Sequence, residues 1–167
     1  MFLCCVFGLT SCSNCTENTI QNELFEHVDT LHKKRVKTPI FASNYLGERK
    51  AIYTLQVELD RDFTLNRLER VILSKLITTF KKDSAQAYTT KNGTILSDKN
   101  ISEGQQTGVF GFSQPVYSDN DSIACVYAAI ECAKTKCGGD GGVFYFRKDK
   151  CGNYRFYKYR VLWVSEK

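Results

Sequence analysis

Cysteine is the residue of this chain with the most possible chemistry, because a thiol can form a disulfide, bind a metal or act as a nucleophile. Four of the eight cysteines fall in the last third of the sequence, at Cys125, Cys132, Cys137 and Cys151. Their spacing lacks the closely spaced pairs of structural zinc sites. A catalytic thiol would need a base, and the two histidines, His27 and His32, are remote in sequence. We therefore expect disulfides, with a zinc site or buried free thiols as the alternatives.

The pairing of these cysteines depends on the elements that carry them. Residues 121–136 are rich in alanine and begin with capping residues, which predicts a helix with Cys125 near its start and Cys137 about 18 Å further on. A strand over 143–148 then returns about 20 Å and brings loop 149–152 back beside the helix start. This geometry favours Cys125–Cys151 and Cys132–Cys137 among the three possible pairings.

The last two predicted strands, 143–147 and 154–164, form a hairpin in which basic and aromatic residues alternate. If they share one sheet face, they could stack on sugars and neutralise carboxylate or phosphate groups. The alternative is an amphipathic strand pair whose lysines protect its edge. The residues of this predicted binding face are Tyr145, Arg147, Tyr154, Arg155, Tyr157, Lys158, Tyr159 and Arg160.

Other motifs argue against common catalytic sites. The glycines of 138–142 follow a predicted helix and lack the Lys-Ser/Thr pair of a phosphate-binding loop, so we interpret them as a turn. No metal and no cofactor is expected. If the chain is an enzyme, the candidates for its site are the acidic residues Glu58, Glu103 and Glu131, together with Ser113.

The remaining elements come from hydrophobic periodicity. Helical spacing predicts an N-terminal helix within 18–35 and a second helix over 65–82, whereas alternation over 51–60 predicts a strand. A short strand follows at 109–112, and two weaker strands flank Asn92-Gly93. The 167 residues suffice for one domain. We expect an α+β fold: a mainly antiparallel sheet packed by helices 65–82 and 121–136.

The N-terminus carries a targeting signature. Residues 1–11 are uncharged and mostly apolar. Their last three residues form, with Cys12, the sequence Leu9-Thr10-Ser11-Cys12, which resembles the lipobox of bacterial lipoproteins. The resemblance implies that 1–11 is a signal peptide and that Cys12 is the lipidated residue. Residues 12–35 would then be a tether and amphipathic helix, and 36–167 the α+β domain. No basic residue precedes the apolar run, and an ordinary buried segment is the alternative.

Two hypotheses of function follow. The first is a non-enzymatic lipoprotein of the bacterial cell envelope, anchored by lipid on the periplasmic or surface side. Its partner would be an anionic glycan, peptidoglycan or an envelope protein, since the net charge of +5 argues weakly for anionic partners. Nucleic acid is not expected as a partner of an exported protein. The alternative is a small transferase. Phe112-Ser113, an alanine-rich helix and Gly-Gly-Val-Phe-Tyr-Phe together are similar to bacterial ADP-ribosyltransferase toxins.

Overall fold

The computed structural model describes residues 19–35, 41–42, 47–62, 64–83, 88–91, 95–96, 109–131 and 139–165. The helices are α1 (Ile20–Arg35), α2 (Glu48–Arg61) and α3 (Arg67–Thr78). The first strands are β1 (Phe41–Ala42), β2 (Tyr88–Thr89), β3 (Ile95–Leu96), β4 (Val109–Phe112) and β5 (Val116–Tyr117). The long strands are β6 (Ile123–Glu131), β7 (Gly139–Lys148) and β8 (Tyr154–Ser165).

Six strands form one sheet in the order β1-β4-β6-β7-β8, with β5 also pairing with β6. The β1–β4 pair is parallel and the other pairs are antiparallel. Helix α1 packs on one face of the sheet, whereas α2 and α3 cover the other face, so the described residues form two hydrophobic clusters. The predicted α+β class is therefore confirmed. Within the described ranges, no helix combines the length and the apolar character needed to cross a membrane.

Strand β6 corrects the predicted helix over 121–136. Its residues point alternately into the two clusters, with Ala124, Val126 and Ala128 toward α1 and Cys125, Tyr127 and Ala129 toward α2 and α3. Both faces are buried, so the polar alternation that marks a half-exposed strand is missing. The alanines, which suggested a helix, provide the small side chains that fit beneath packed helices.

Helix α2 shows that the opposite prediction was also wrong, because residues 51–60 were expected to form a strand. Ala51, Leu55 and Leu59 recur every fourth residue and pack against the sheet. Tyr53, which the strand interpretation placed on the same apolar face as Leu55, is 68% exposed. The alternation is present in the sequence, but the helical repeat is the one that buries apolar surface.

The other long elements were predicted correctly in kind and approximate position. Helix α1 lies within 18–35, and α3 occupies the centre of 65–82. Asn66 caps α3: its side chain accepts from the Glu69 backbone N at 2.9 Å, and the Glu69 side chain accepts from the Asn66 backbone N at 3.2 Å. Strands β4, β7 and β8 also match, and the short pair β2–β3 flanks the Asn92-Gly93 position.

The glycines expected to form a turn lie instead, from Gly139 onward, in the first part of β7. They allow close contact with β8. A Cβ at Gly141 would overlap the indole of Trp163, and a Cβ at Gly142 would overlap the backbone carbonyl of Arg160. The register also shifts between Gly141 and Gly142, so Leu162 is an extra residue in β8. Glycine is required here by lack of space rather than by turn geometry.

We predict that Gly142→Ala destabilises the protein by about 1–3 kcal/mol, because the overlap is with backbone and only separation of β7 from β8 relieves it. Urea unfolding followed by circular dichroism measures the change. The matched control is Gly47→Ala, whose Cβ would meet nothing closer than 3.7 Å. Equal unfolding midpoints for the two variants would contradict the close packing of the hairpin.

Candidate functional site

The eight residues of the predicted binding face do not share one face of the sheet. Tyr145 is 1% exposed and belongs to the cluster under α2 and α3. Tyr154 and Tyr159 pack instead against the α1 cluster, where the Tyr159 ring stacks on Phe144 with centroids 4.2 Å apart. The prediction that these basic and aromatic residues share one surface is therefore wrong.

Two bulges explain why the residues separate. Tyr145 pairs with Lys158 and Phe146 pairs with Phe156, which leaves Tyr157 as an extra residue in β8. Each extra residue shifts the alternation by one position, so side chains that alternate in the sequence do not alternate uniformly across the sheet. The two sides of β8 consequently carry mixtures of aromatic and basic groups.

Most of the cations of the β7–β8 hairpin are paired with carboxylates of this same chain. Arg155 contacts Glu23 of α1 at 3.0 Å and Asp149 of the turn at 3.1 Å. Hydrogen bonds to Glu23 and Asp149, in that order, raise the pKa of Arg155. Lys148 pairs with Asp121 in the loop before β6. These contacts neutralise cations that were expected to bind an external anion.

Two further cations of the hairpin are paired with carboxylates where α2 and α3 cross β8. Lys158 contacts Glu69 at 2.6 Å, and Glu69 is 5% exposed while also closing the α3 capping box. Arg160 pairs with Glu58 and Asp62 near the end of α2. Partly buried ion pairs of this kind fix how two elements sit on each other, because breaking one leaves an uncompensated charge. Lys158 and Arg160 therefore position the helices on the sheet.

What remains exposed is the outer side of β8, which we call the β8 edge. Among the described strands β8 has a neighbour, β7, on one side only. Three large side chains along it are substantially exposed: Tyr157 at 47%, Val161 at 43% and Val164 at 59%. The Arg147 guanidinium lies 4.1 Å from the centre of the Tyr157 ring. An unpaired strand edge with exposed apolar side chains is a surface that another strand can join.

Sequence reasoning missed Val161 and Val164 as parts of this surface. Their position did carry a signal, because they belong to the second strand of a predicted hairpin, which lies at the edge of its sheet unless a further strand pairs with it. The interpretation of the sequence relied on basic and aromatic side chains. The exposed surface consists instead of the backbone edge of β8 and the valines beside it. Of the predicted face, Arg147 and Tyr157 are the residues that the structure brings together on this surface.

Cys125 corrects the predicted disulfide pairing. It is a free thiol, fully buried on β6, and burial raises its pKa. Cys125 lies opposite Tyr145, three residues or about 10 Å before the end of β7, whereas Cys151 is exposed in the turn beyond that end. The Cys125–Cys151 bridge is therefore wrong, since it relied on a helix that is strand β6. Cys12, Cys132 and Cys137 lie outside the described residues.

The candidates for an enzymatic site are not gathered together. Ser113 is buried; its Oγ accepts from the Tyr127 backbone N at 3.0 Å and donates to the Gln114 carbonyl at 3.1 Å. Glu58 is paired with Arg160, while Glu103 and the side chain of Glu131 are not among the described parts. The described residues contain no group of three potential metal ligands. The alanine-rich helix needed for the toxin resemblance is strand β6.

A cavity of about 660 Å³ opens beside the start of α2, where Gly47, Glu48, Arg49, Lys50 and Ile52 contribute to its lining. Lys50 places its ammonium 4.5 Å from the centre of the Trp163 ring. The described lining combines one carboxylate with two cations, so it does not favour a ligand of one charge. We therefore base no function on this cavity.

Comparison of the chain with protein-family models, with curated proteins and with solved structures finds no match in any of the three. The function must therefore be argued from the geometry of the chain itself.

We predict that native Cys125 does not react with iodoacetamide at pH 8, because a fully buried thiol with a raised pKa is neither accessible nor ionised. In 8 M urea it should be alkylated completely, as peptide mass spectrometry would show. Ser74→Cys, at an exposed position of α3, serves as the reactive control under native conditions. Native alkylation of Cys125 as fast as that of the control would contradict its burial.

Proposed function

We propose that this protein is an exported, lipid-anchored binding module of the bacterial cell envelope, which binds a protein partner through the β8 edge. The observation that carries the proposal is the strand edge with its exposed Tyr157, Val161 and Val164. Backbone N–H and C=O groups on such an edge offer a polypeptide a row of hydrogen bonds, and the flanking side chains add apolar contact. Strand addition therefore uses features that the fold already exposes.

A protein partner fits this surface better than an anionic glycan or peptidoglycan does. Recognition of an anionic polymer would depend on unpaired cations, but Lys148, Arg155, Lys158 and Arg160 are held by internal carboxylates. Removing one of them from its partner would leave a carboxylate without compensation. Backbone hydrogen bonds to an added strand can form without breaking any of these ion pairs.

The anchor belongs to the same proposal and is supported by the lipobox-like Leu9-Thr10-Ser11-Cys12. Seven residues separate Cys12 from Ile20, where α1 begins, and they span at most about 25–30 Å when fully extended. A lipid on Cys12 would therefore hold the sheet close to the membrane surface. An oxidising envelope compartment also suits the Cys132–Cys137 bridge, which stays a prediction.

We expect Cys12→Ala to move the protein from the membrane fraction to the soluble fraction and to abolish incorporation of radiolabelled palmitate. Cys12 is the residue that the lipobox pattern designates, so loss of its thiol removes the site of acylation. Cys15→Ala, three residues later, is the matched control and should leave both measurements unchanged. Membrane association that survives in Cys12→Ala would disprove the lipid anchor.

We expect a photocrosslinking amino acid at position 157 to capture an envelope protein in living cells. The matched control places the same amino acid at Tyr53, which is more exposed and belongs to α2 instead of β8. A crosslink specific to position 157, lost when Val161 and Val164 are both changed to lysine, would support binding at the edge. Equal capture from both positions, or from neither, would refute the proposed binding surface.

A further inference from the structure

Two cations of the β7–β8 hairpin have no carboxylate partner within the described part of the chain, namely Arg147 and Lys150. The other four, Lys148, Arg155, Lys158 and Arg160, are all ion-paired. Lys150 lies in the exposed turn, whereas Arg147 is placed by a specific contact. Arg147 is therefore the cation whose position and unused hydrogen-bonding capacity both call for an explanation.

The contact with Tyr157 places the positively charged end of Arg147, a residue of β7, over the neighbouring strand β8. Its guanidinium carbon lies 4.1 Å from the centre of the Tyr157 ring, and Tyr157 is the extra residue of a β-bulge. Bulges commonly re-aim a side chain, and here the bulged residue provides the ring on which the guanidinium rests. Stacking occupies a face of the guanidinium, while its N–H donors lie in the plane and remain available.

The chain already shows how a carboxylate binds at this end of β8. Glu23 of α1 accepts from Arg155 Nη1 through Oε1 at 3.0 Å, and from the Phe156 backbone N through Oε2 at 3.4 Å. One carboxylate thus bridges a hairpin arginine and the backbone of β8. Arg147 on Tyr157 offers a second arginine at the adjacent position, without an internal carboxylate among the described residues to fill it.

We propose that Arg147, stacked on Tyr157, selects partner strands that carry an aspartate or glutamate where they reach Tyr157. The inference rests on the proposed strand addition at the β8 edge and specifies the chemistry of the partner. Glu23 covers the strand at Phe156, so the added segment would lie along the residues after Tyr157, beside Val161 and Val164. Its carboxylate would receive two parallel N–H bonds from the guanidinium, the geometry that arginine provides and lysine does not.

The test uses end-blocked eight-residue peptides of alternating threonine and valine, with a glutamate at both ends or a glutamine at both ends. Either strand direction then brings one terminal residue to Arg147. NMR titration of the ¹⁵N-labelled protein gives the affinities, and amide exchange locates the bound segment. We expect the glutamate peptide to bind about tenfold more tightly, the ratio that corresponds to one charge-assisted contact, and to protect amides of residues 158–164.

The variants separate this inference from the proposed strand addition. Arg147→Gln should bring the glutamate peptide down to the affinity of the glutamine peptide, whereas Arg67→Gln, an exposed cation on α3, should keep the tenfold preference. Equal affinities in the wild type, with 158–164 still protected, would overturn carboxylate selection and leave strand addition standing. If neither peptide protects β8, strand addition fails and the inference fails with it. Arg147-dependent binding of oligogalacturonate, without binding of the glutamate peptide, would also overturn it.

Discussion

The structure depends on the burial of β6 and β7 on both faces. Helix α1 covers one face and the pair α2–α3 covers the other, so both strands must be apolar throughout their central parts. The alanines of β6 and the glycines of β7 follow from the same constraint, since large side chains from neighbouring elements need space close to the backbone. A shift of register by one residue would move the side chains of the shifted strand into the opposite cluster, where different residues surround them. Double burial therefore fixes the register as well as the composition.

The charges of β8 follow from its place at the border of this double-covered sheet. Its side chains extend under α2 and α3, where a basic group loses part of its contact with water. Glu58, Asp62 and Glu69 come from the helices to meet Arg160 and Lys158. Glu69 both pairs with Lys158 and closes the capping box of α3. One side chain therefore fixes the start of that helix and its position on the sheet. The basic character of the hairpin is thus mainly a property of how the fold is assembled.

The sequence was sufficient for the helices α1 and α3, which have one buried face, and for the strands of the β7–β8 hairpin, which are bounded by clear turn residues. Helices α1 and α3 show the helical repeat, and the β7–β8 hairpin has aromatic, β-branched strands around a polar turn. It was insufficient for β6, because burial on both faces removes the alternation that identifies a strand. It was also insufficient for α2, where Tyr53, Leu55 and Leu59 alternate while Ala51, Leu55 and Leu59 also repeat helically. Tertiary packing decides between two such patterns, and the disulfide error followed directly from the wrong element at Cys125.

The candidate surface could be predicted only in part, for a reason specific to the hairpin. Each bulge adds one residue to β8, at Tyr157 and at Leu162, and local composition does not reveal where such a residue lies. The sequence thus located the hairpin but could not tell which of its cations face carboxylates of distant helices. Once those pairs are known, the balance between possible partners changes. The cations of β8 are held by internal carboxylates, whereas beyond Phe156, whose N–H donates to Glu23, no described strand pairs with the outer edge of β8. The hydroxyl groups of a glycan can hydrogen-bond to single backbone groups, but they do not repeat at the spacing of a β-strand. A polypeptide strand could place its backbone along β8 and one carboxylate at Arg147, and for this reason we propose a protein as the partner of this edge.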